Sequence, residues 1–417
     1  MPLPSYYEFL NPVPIIAGAT AIEAVPELLN QRGGGPVMVV SDAGVSRAGL
    51  LGTVKSLLKG RLEIAVVADD IPTDSDLAKV ADLADAYRQG GCRALIAVGG
   101  GSVIDTAKAV NILVSEAGEE TDLCRFSGHG KLKHPLRPLI AIPTTAGTGS
   151  EVTSIAVIKD NQTHRKLPFS SQFLLPDAAI LDPRMTITLP GHITAATAMD
   201  ALAHAMEAYT CLGKNPLSDT HARTAVRLIS ANLLPVLEHP DDKEGRLALA
   251  MAATLAGTAF TNSMVGNVHT LGHAVGAVRG VPHGVCMAIL LPYGLAYNLP
   301  KTAADLGELL LPLAGPDVYI ATPEYAHPYK VIESVHRLNQ ALFDATDGRH
   351  GRCFKELVSP DGHSWVPRQT LADIVDAAMN DASQIYNPEA MDRTDMLRLL
   401  TCAWEGRAVL QPPLRPL

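Results

Sequence analysis

The stretch CRALIAVGGGSVIDTAKAV (residues 92–110) decides the fold. The apolar run in RALIAVGGG is of strand length and glycine-ended. Three glycines follow at Gly99, Gly100 and Gly101, and then apolar residues recur at helical spacing. A strand that ends in glycines and passes straight into a helix is one half of a βαβ unit. Glycines at that point let backbone N–H groups approach a phosphate with no Cβ in the way. Ser102 and Asp105 fit a capping-box-like S-x-x-D helix start. The stretch is not GxGxxG, and GxxxxGK[ST] occurs nowhere in the chain. A plain glycine-rich turn therefore remains the competing reading on these residues alone.

Working outward, GPVMVVSD reads as a strand ending at Asp42, LEIAVVADD as one ending near Asp69, and PLIAIPTTAG as a fourth. Between the second and third lies DSDLAKVADLADAYRQGG, with acids at its start, apolar positions at helical spacing and a stop at Gly90 and Gly91. Strands alternating with helices imply a parallel sheet covered on both faces, with ligands at the strand ends. After about Pro190 the texture changes. TAATAMDALAHAMEAYT, TAVRLISANLLPVLEHP and RLALAMAATLAGTAFTN are alanine- and leucine-rich stretches at helical period. The expected organisation is a Rossmann-like α/β domain over residues 1–188 and an all-helical domain over 189–417. Residues 340–368, rich in Gly, His, Asp and Pro, read as a surface loop insertion. The terminal LQPPLRPL reads as a frayed tail.

The chain has 417 residues, enough for two domains, with 47% hydrophobic and 18% charged residues, so it is globular. Its net charge of −9 argues against a protein that binds nucleic acid by neutralising phosphates. No apolar run reaches the length of a membrane span. The start MPLPSYYEFLNPVPII lacks the basic and apolar regions of a signal peptide. Six scattered cysteines show no CxxC or zinc-ribbon spacing, which suits reduced thiols in the cytoplasm.

The helical half carries a histidine pattern. HTLGHAVGAVRGVPHG (269–284) holds His269, His273 and His283, and AMDALAHAME places Asp200 four residues before His204. Residues i and i+4 share one face of a helix, so Asp200 and His204 could close on one ion. His269 and His283 would complete a set of one oxygen and three nitrogens, with VPHG holding His283 on a loop. Such a set suits a divalent transition metal and disfavours calcium or magnesium. A hydrogen-bonded Asp–His pair on a helix face explains the first segment equally well, and spacing alone leaves both readings open.

On the α/β side, IPTTAGTGSEVT (142–153) is a second loop after a strand, with hydroxyls at Thr144, Thr145, Thr148 and Ser150. Two such loops fit a nicotinamide dinucleotide, one for pyrophosphate and one for ribose hydroxyls. Asp42 could accept from the adenine-side ribose and repel a 2′-phosphate, favouring NAD over NADP. It could also be a helix N-cap, and the two roles are compatible.

Together these pieces resemble the iron-containing (group III) alcohol dehydrogenase family. The resemblance runs from IIAGATAIEAVPELL to NDASQIYNPEAMDRTDMLRLL and is strongest over 97–298. It rests on GGGSVIDTAK, PTTAGTGSEVT, LPDAAILDP, TAATAMDALAHAMEAY, HTLGHAVGAVRGVPHG and AILLPYGLAYN. It implies a dehydroquinate synthase-like architecture. It implies that Asp200, His204, His269 and His283 bind the metal, with iron(II) first and zinc(II) compatible with the same donors. It implies that Gly99, Gly100, Gly101 and Ser102 hold pyrophosphate, that Thr144, Thr145, Thr148 and Thr153 line the nicotinamide groove, and that Lys166 lies near the cofactor. His273 would stand near nicotinamide and substrate as a proton relay or an orienting hydrogen-bonder, and Phe260 at the substrate pocket. The implied activity is NAD(H)-linked oxidation of a small primary alcohol or reduction of its aldehyde, in a dimer or larger homo-oligomer. A divalent metal would lower the pKa of the alcohol and polarise the carbonyl. Two departures from the family's pattern concern the substrate: the 340–368 region, longer than usual, and Arg279, where many relatives carry a tyrosine or another uncharged residue. Arg279 opens an alternative, a dehydrogenase or hydroxyacid–oxoacid transhydrogenase taking an acid-tailed substrate such as 4-hydroxybutyrate or a phosphonoacetaldehyde-like aldehyde. Glycerol dehydrogenase, dehydroquinate synthase and a non-catalytic binding protein of the same fold are further alternatives that fit the motifs less well.

Overall fold

The computed structural model describes residues 4–116, 122–162, 165–359 and 361–408, so the terminal LQPPLRPL lies outside the described residues. The chain divides into two compact units. One comprises Leu10–Leu189 with Pro240–Gly257; the other comprises Met1–Phe9, Pro190–His239 and Thr258–Leu417. Neither is a single stretch of chain.

In the first unit the strands are β1 (Ile15–Ala17), β2 (Val37–Ser41), β3 (Ile64–Ala68), β4 (Ala94–Gly99), β5 (Gly128–His129), β6 (Leu139–Pro143), β7 (Ile155–Asp160), β8 (Arg165–Ser170) and β9 (Ala178–Leu181). Six of them form a wholly parallel sheet in the order β1-β9-β6-β4-β2-β3. Register is carried by β-branched residues: Ile96 lies beside Val39 on one side and Ile140 on the other. Every residue of β2, β4, β6 and β9 is buried, whereas edge strand β3 alternates between half-buried and exposed. Strands buried on both faces need a cover on both, and the helices supply it.

The helices of this unit are α1 (Val25–Asn30), α2 (Ala43–Arg47), α3 (Leu50–Leu58), α4 (Leu77–Gln89) and α5 (Gly101–Ser115). Met38 and Val40 join Leu95 and Ala97 in a core with α4 and α5. The alternate residues Val37 and Val39 join Ile96, Val98 and Ile140 in a core with α1 and α3. This is the period-two division of a pleated strand between two cores. Asp76 caps α4 by accepting from Lys79 N at 2.9 Å, and α4 buries Val80, Leu83, Ala84 and Tyr87, the one-face spacing of its sequence.

All four strands expected from the sequence are present. The sheet gains two more at one side, β1 and β9, whose three and four residues are too short to show a period. Antiparallel β7 and β8, with β5 alongside, form a separate three-stranded sheet. The connection order reverses between neighbours β2 and β4, so Asp42 and the glycine triplet follow strands that meet at a topological switch point.

The capping-box reading of Ser102 and Asp105 does not hold. The N-cap of α5 is Gly100, with no side-chain cap. Asp105 reaches outward instead, accepting from Ser150 Oγ at 2.6 Å and Val157 N at 2.9 Å. Two long-range donors engage both of its oxygens, which a local cap would use less fully.

The remaining helices are α6 (Gly191–Thr210), α7 (Pro216–Glu238), α8 (Lys243–Thr261), α9 (Asn267–Arg279), α10 (His283–Glu308), α11 (Leu310–Ala321), α12 (His327–Ala345), α13 (Leu371–Ala378) and α14 (Arg393–Glu405). α8 has residues in both units. In the second unit α6 is buried on all sides from Ala198 to Thr210, which its alanines permit by letting α7 and α10 approach closely. No helix among the described residues is long and apolar enough to cross a membrane, and all six cysteines are free thiols.

The 340–368 region is only in part a surface loop: among its described residues 347–349, 355–356, 358 and 361–364 are exposed. Residues up to Ala345 belong to α12, and the following segment is anchored at intervals, with Phe354 and Val366 fully buried and His350 and Cys353 nearly so, while Val358 stays exposed. Polar composition misled because these few apolar residues anchor the segment.

Gly149 sits at φ +63°, where a Cβ would lie 2.6 Å from Gly257 Cα and 2.9 Å from Ala253 O. Gly149→Ala is expected to destabilise the α/β unit by roughly 1–3 kcal/mol, read as a lower thermal unfolding midpoint. Gly52→Ala, at an exposed helical position with nothing within 4 Å of the added Cβ, is the control and should not lower it.

Candidate metal and cofactor site

Three helices of the second unit bring the expected donors together. Asp200 and His204 lie one turn apart on the buried face of α6, and His269 lies in the first turn of α9. His283 is the first residue of α10, not a loop residue, because Pro282 ends the extended link and serves as N-cap. Close approach explains the neighbouring glycine: a Cβ at Gly284 would lie 2.4 Å from Ala196 O on α6.

Asp200 Oδ1 stands 3.3 Å from His283 Nε2, 3.6 Å from His204 Nδ1 and 3.9 Å from His269 Nε2. One ligand atom from each of the four residues lies within 4.8 Å of the others. Asp200 Oδ1, His204 Nδ1 and His269 Nε2 are buried and have no hydrogen-bond partner among the described residues. Unpartnered buried polar atoms are costly, and three of them facing one point fit a missing cation. One carboxylate oxygen and three imidazole nitrogens are the donor set of a divalent transition metal.

Electrostatics agree with that geometry. Burial pushes the Asp200 carboxyl up, but His204, His283 and His269 outweigh it and hold it below the usual carboxylate range. Burial pushes His204 down to about 3 and His269 well below the ordinary histidine value. An ionised Asp200 beside His204 and His269 held neutral is a protonation state that binds a cation. Phe260 stacks on the His204 ring at 4.2 Å between centroids and closes that side with an apolar face.

Two carboxylates unforeseen in the sequence orient the histidines. Glu207, buried on α6, accepts from Gly266 N at 3.1 Å and Val268 N at 2.9 Å through one oxygen and pairs with His269 Nδ1 through the other. Burial pushes its carboxyl up to about 7 against the pull of these N–H groups. Asp381 accepts from His273 Nδ1 at 2.8 Å. Glu207 was findable, since it falls seven residues after Asp200 on the same helix face. Asp381 had no local signal, being 108 residues from its partner. His273 is not one of the four grouped donors and stacks on His283 at 5.3 Å between centroids. Arg279 ends α9 and gives its Nε to Trp365 O at 2.8 Å, while Trp365 Nε1 donates to Arg279 O at 3.0 Å.

In the first unit the glycine triplet and the 144–153 loop lie against one another. A Cβ on Gly100 would lie 3.1 Å from Thr145 Oγ1, and one on Gly101 would lie 2.7 Å from Thr148 Cγ2. With no side-chain cap on α5, its N-terminus is open to an anion. Asp42 caps α2, accepting from Gly44 N at 2.7 Å and Val45 N at 3.0 Å through one oxygen. Thr144 is buried and its N–H bonds Gly99 O at 3.1 Å. Thr153 is buried beneath the loop, where the fully buried Lys108 Nζ donates to its carbonyl at 2.8 Å and also to Ile155 O at 2.9 Å. Burial pushes that amine down to about 8. Lys166 pairs with Asp74 at 2.6 Å, and Asp74 N donates to Ser102 Oγ at 3.4 Å.

Comparison with known proteins converges with this geometry. Residues 12–183 match the family model for iron-containing alcohol dehydrogenase, and residues 194–404 match that for the C-terminal part of the Fe-containing alcohol dehydrogenase family. The NAD-dependent methanol dehydrogenase of Bacillus methanolicus is 38% identical over 306 residues, 72% of this chain and 79% of that one. Alcohol dehydrogenase 4 of Saccharomyces cerevisiae is 30% identical over 390 residues, 93% of this chain and 96% of that one. A crystal structure of 1,3-propanediol oxidoreductase superposes with a TM-score of 0.88 at 29% identity, over 95% of this chain and all of the other. With matches across both units, this chain belongs to the iron-containing alcohol dehydrogenase family, oxidoreductases that act on CH–OH groups.

Proposed function

We propose that this protein is an NAD(H)-linked alcohol dehydrogenase or aldehyde reductase for small primary alcohols, working at one divalent metal held by Asp200, His204, His269 and His283. The observation that carries it is the convergence of four donor groups, three with buried unpartnered ligand atoms. Iron(II) is the ion we assign, in line with the family, and zinc(II) fits the same donors. The α/β unit is the dinucleotide-binding part, with Gly99, Gly100, Gly101 and Ser102 at the pyrophosphate. Thr144, Thr145, Thr148, Thr153 and Lys166 serve the nicotinamide side, and the second oxygen of Asp42 serves the adenine ribose.

When bound, the ion supplies Lewis acidity to the alcohol or carbonyl oxygen, and NAD supplies the hydride acceptor. The chain's own residues do the rest. Asp200 offsets cationic charge. Glu207 fixes which nitrogen of His269 faces the donor cluster. His273, with its side chain 41% exposed, moves the hydroxyl proton between Nε2 and solvent. Phe260 bounds the substrate side.

Anaerobically purified protein is expected to carry about one divalent ion per chain and to reduce NAD with short primary alcohols or diols. His269→Ala should lose the metal and the activity together while retaining NADH binding. A wild-type protein that turns over without metal would overturn the reading. Glu207→Gln should bind metal roughly 10–100-fold more weakly, measured by competition with a chelator. Asp42→Ser keeps a capping oxygen and removes the charge, so it should raise relative use of NADP roughly tenfold, read from kcat/KM ratios.

A further inference from the structure

His269 and His273 lie one turn apart on α9, and each turns its Nδ1 to a carboxylate from elsewhere in the chain. For His269 the partner serves the donor cluster. His273 stands outside that cluster, so its carboxylate has another task. Asp381 Oδ1 accepts from Ser383 N at 2.8 Å and caps the short 3₁₀ turn Ala382–Tyr386, while Oδ2 takes His273 Nδ1 at 2.8 Å. Both oxygens are engaged, so the carboxylate has no freedom to rotate away. The Asp381 side chain is 20% exposed and that of His273 41%, so the hydrogen bond is partly shielded while one edge of the ring meets solvent. The His283 ring stacks on the His273 ring with 17° between planes, which fixes the plane of the imidazole. An ionised carboxylate can only accept, so the neutral ring carries its hydrogen on Nδ1 and presents Nε2 as a lone pair.

We propose that Asp381 is the positioning residue of His273, fixing its orientation and its Nδ1–H tautomer so that Nε2 is the acceptor offered to the reaction. The inference rests on the dehydrogenase reading for its kinetic consequence, but not for the tautomer.

Asp381→Asn tests it sharply. The Ser383 N–H still demands an acceptor, so the asparagine oxygen stays there and the amide turns toward the ring. Nδ1 must then accept, and the hydrogen moves to Nε2. Histidine-selective ¹⁵N NMR of the whole protein should report Nδ1–H at His273 in the wild type and Nε2–H in the variant. In alcohol oxidation Asp381→Asn should lower kcat about 10-fold to 100-fold, with KM for NAD and alcohol and metal content nearly unchanged. Asp381→Glu should recover part of that loss. In a His273→Ala background Asp381→Asn should have no further effect on kcat. A wild-type ring protonated on Nε2, an unchanged kcat in Asp381→Asn, or losses that multiply in the double variant would each overturn the proposal. If the wild type proves inactive with NAD, the dehydrogenase reading fails, and the NMR result alone decides whether Asp381 sets the tautomer.

Discussion

Asp200 keeps one carboxylate oxygen inside the helical unit with three imidazoles around it and no donor to satisfy it. A cation bound among these donors would satisfy that oxygen and offset the cost of burying its charge. Much of the unit is arranged to tolerate it. The alanines of α6 let helices close around it, Phe260 shields His204, and Glu207 gathers two backbone N–H groups and His269 so that the first turn of α9 is held in place. A carboxylate at a helix N-terminus is stabilised by the helix dipole, which suits Glu207 to this position.

The α/β unit solves a different problem with the same device. Lys108 lies fully buried in α5 with its amine on the carbonyls of Thr153 and Ile155, and Asp105, one turn earlier, takes Ser150 and Val157. Both charges act between the glycine-led helix and the 144–153 loop. They bind together two elements that side-chain packing alone could not fix, because the contact there is made by Gly100 and Gly101 against threonines. Small residues give a ligand room but little packing, and the buried hydrogen bonds of Lys108 and Asp105 supply the missing rigidity.

The architecture was legible where a pattern is local. Central strands announced themselves as apolar runs because they are buried on both faces, and α4 was bounded by Asp76 and Gly90. The donor residues were legible as pairs, Asp200 with His204 and His269 with His283, but their meeting needed three helices to pack, which no spacing encodes. Short strands β1 and β9 carry too few residues for a period. The segment after Ala345 looked solvent-facing because its anchors, Phe354 and Val366, are single apolar residues in a polar setting. Asp105 looked like a cap because three-residue spacing is shared by caps and by residues that point elsewhere from the same turn. Asp381 was invisible because its partner lies 108 residues away.

All four candidate ligands sit on helices rather than on mobile loops, and each helix is held by contacts that do not involve a metal. The cavity for the ion is therefore finished when α6, α9 and α10 dock. One aspartate oxygen and three imidazole nitrogens are donors that several divalent ions share, and intrinsic affinities rank zinc above iron(II) for such sites. Where the donors leave the choice open, the ion in greatest free supply in the cell decides which one they hold.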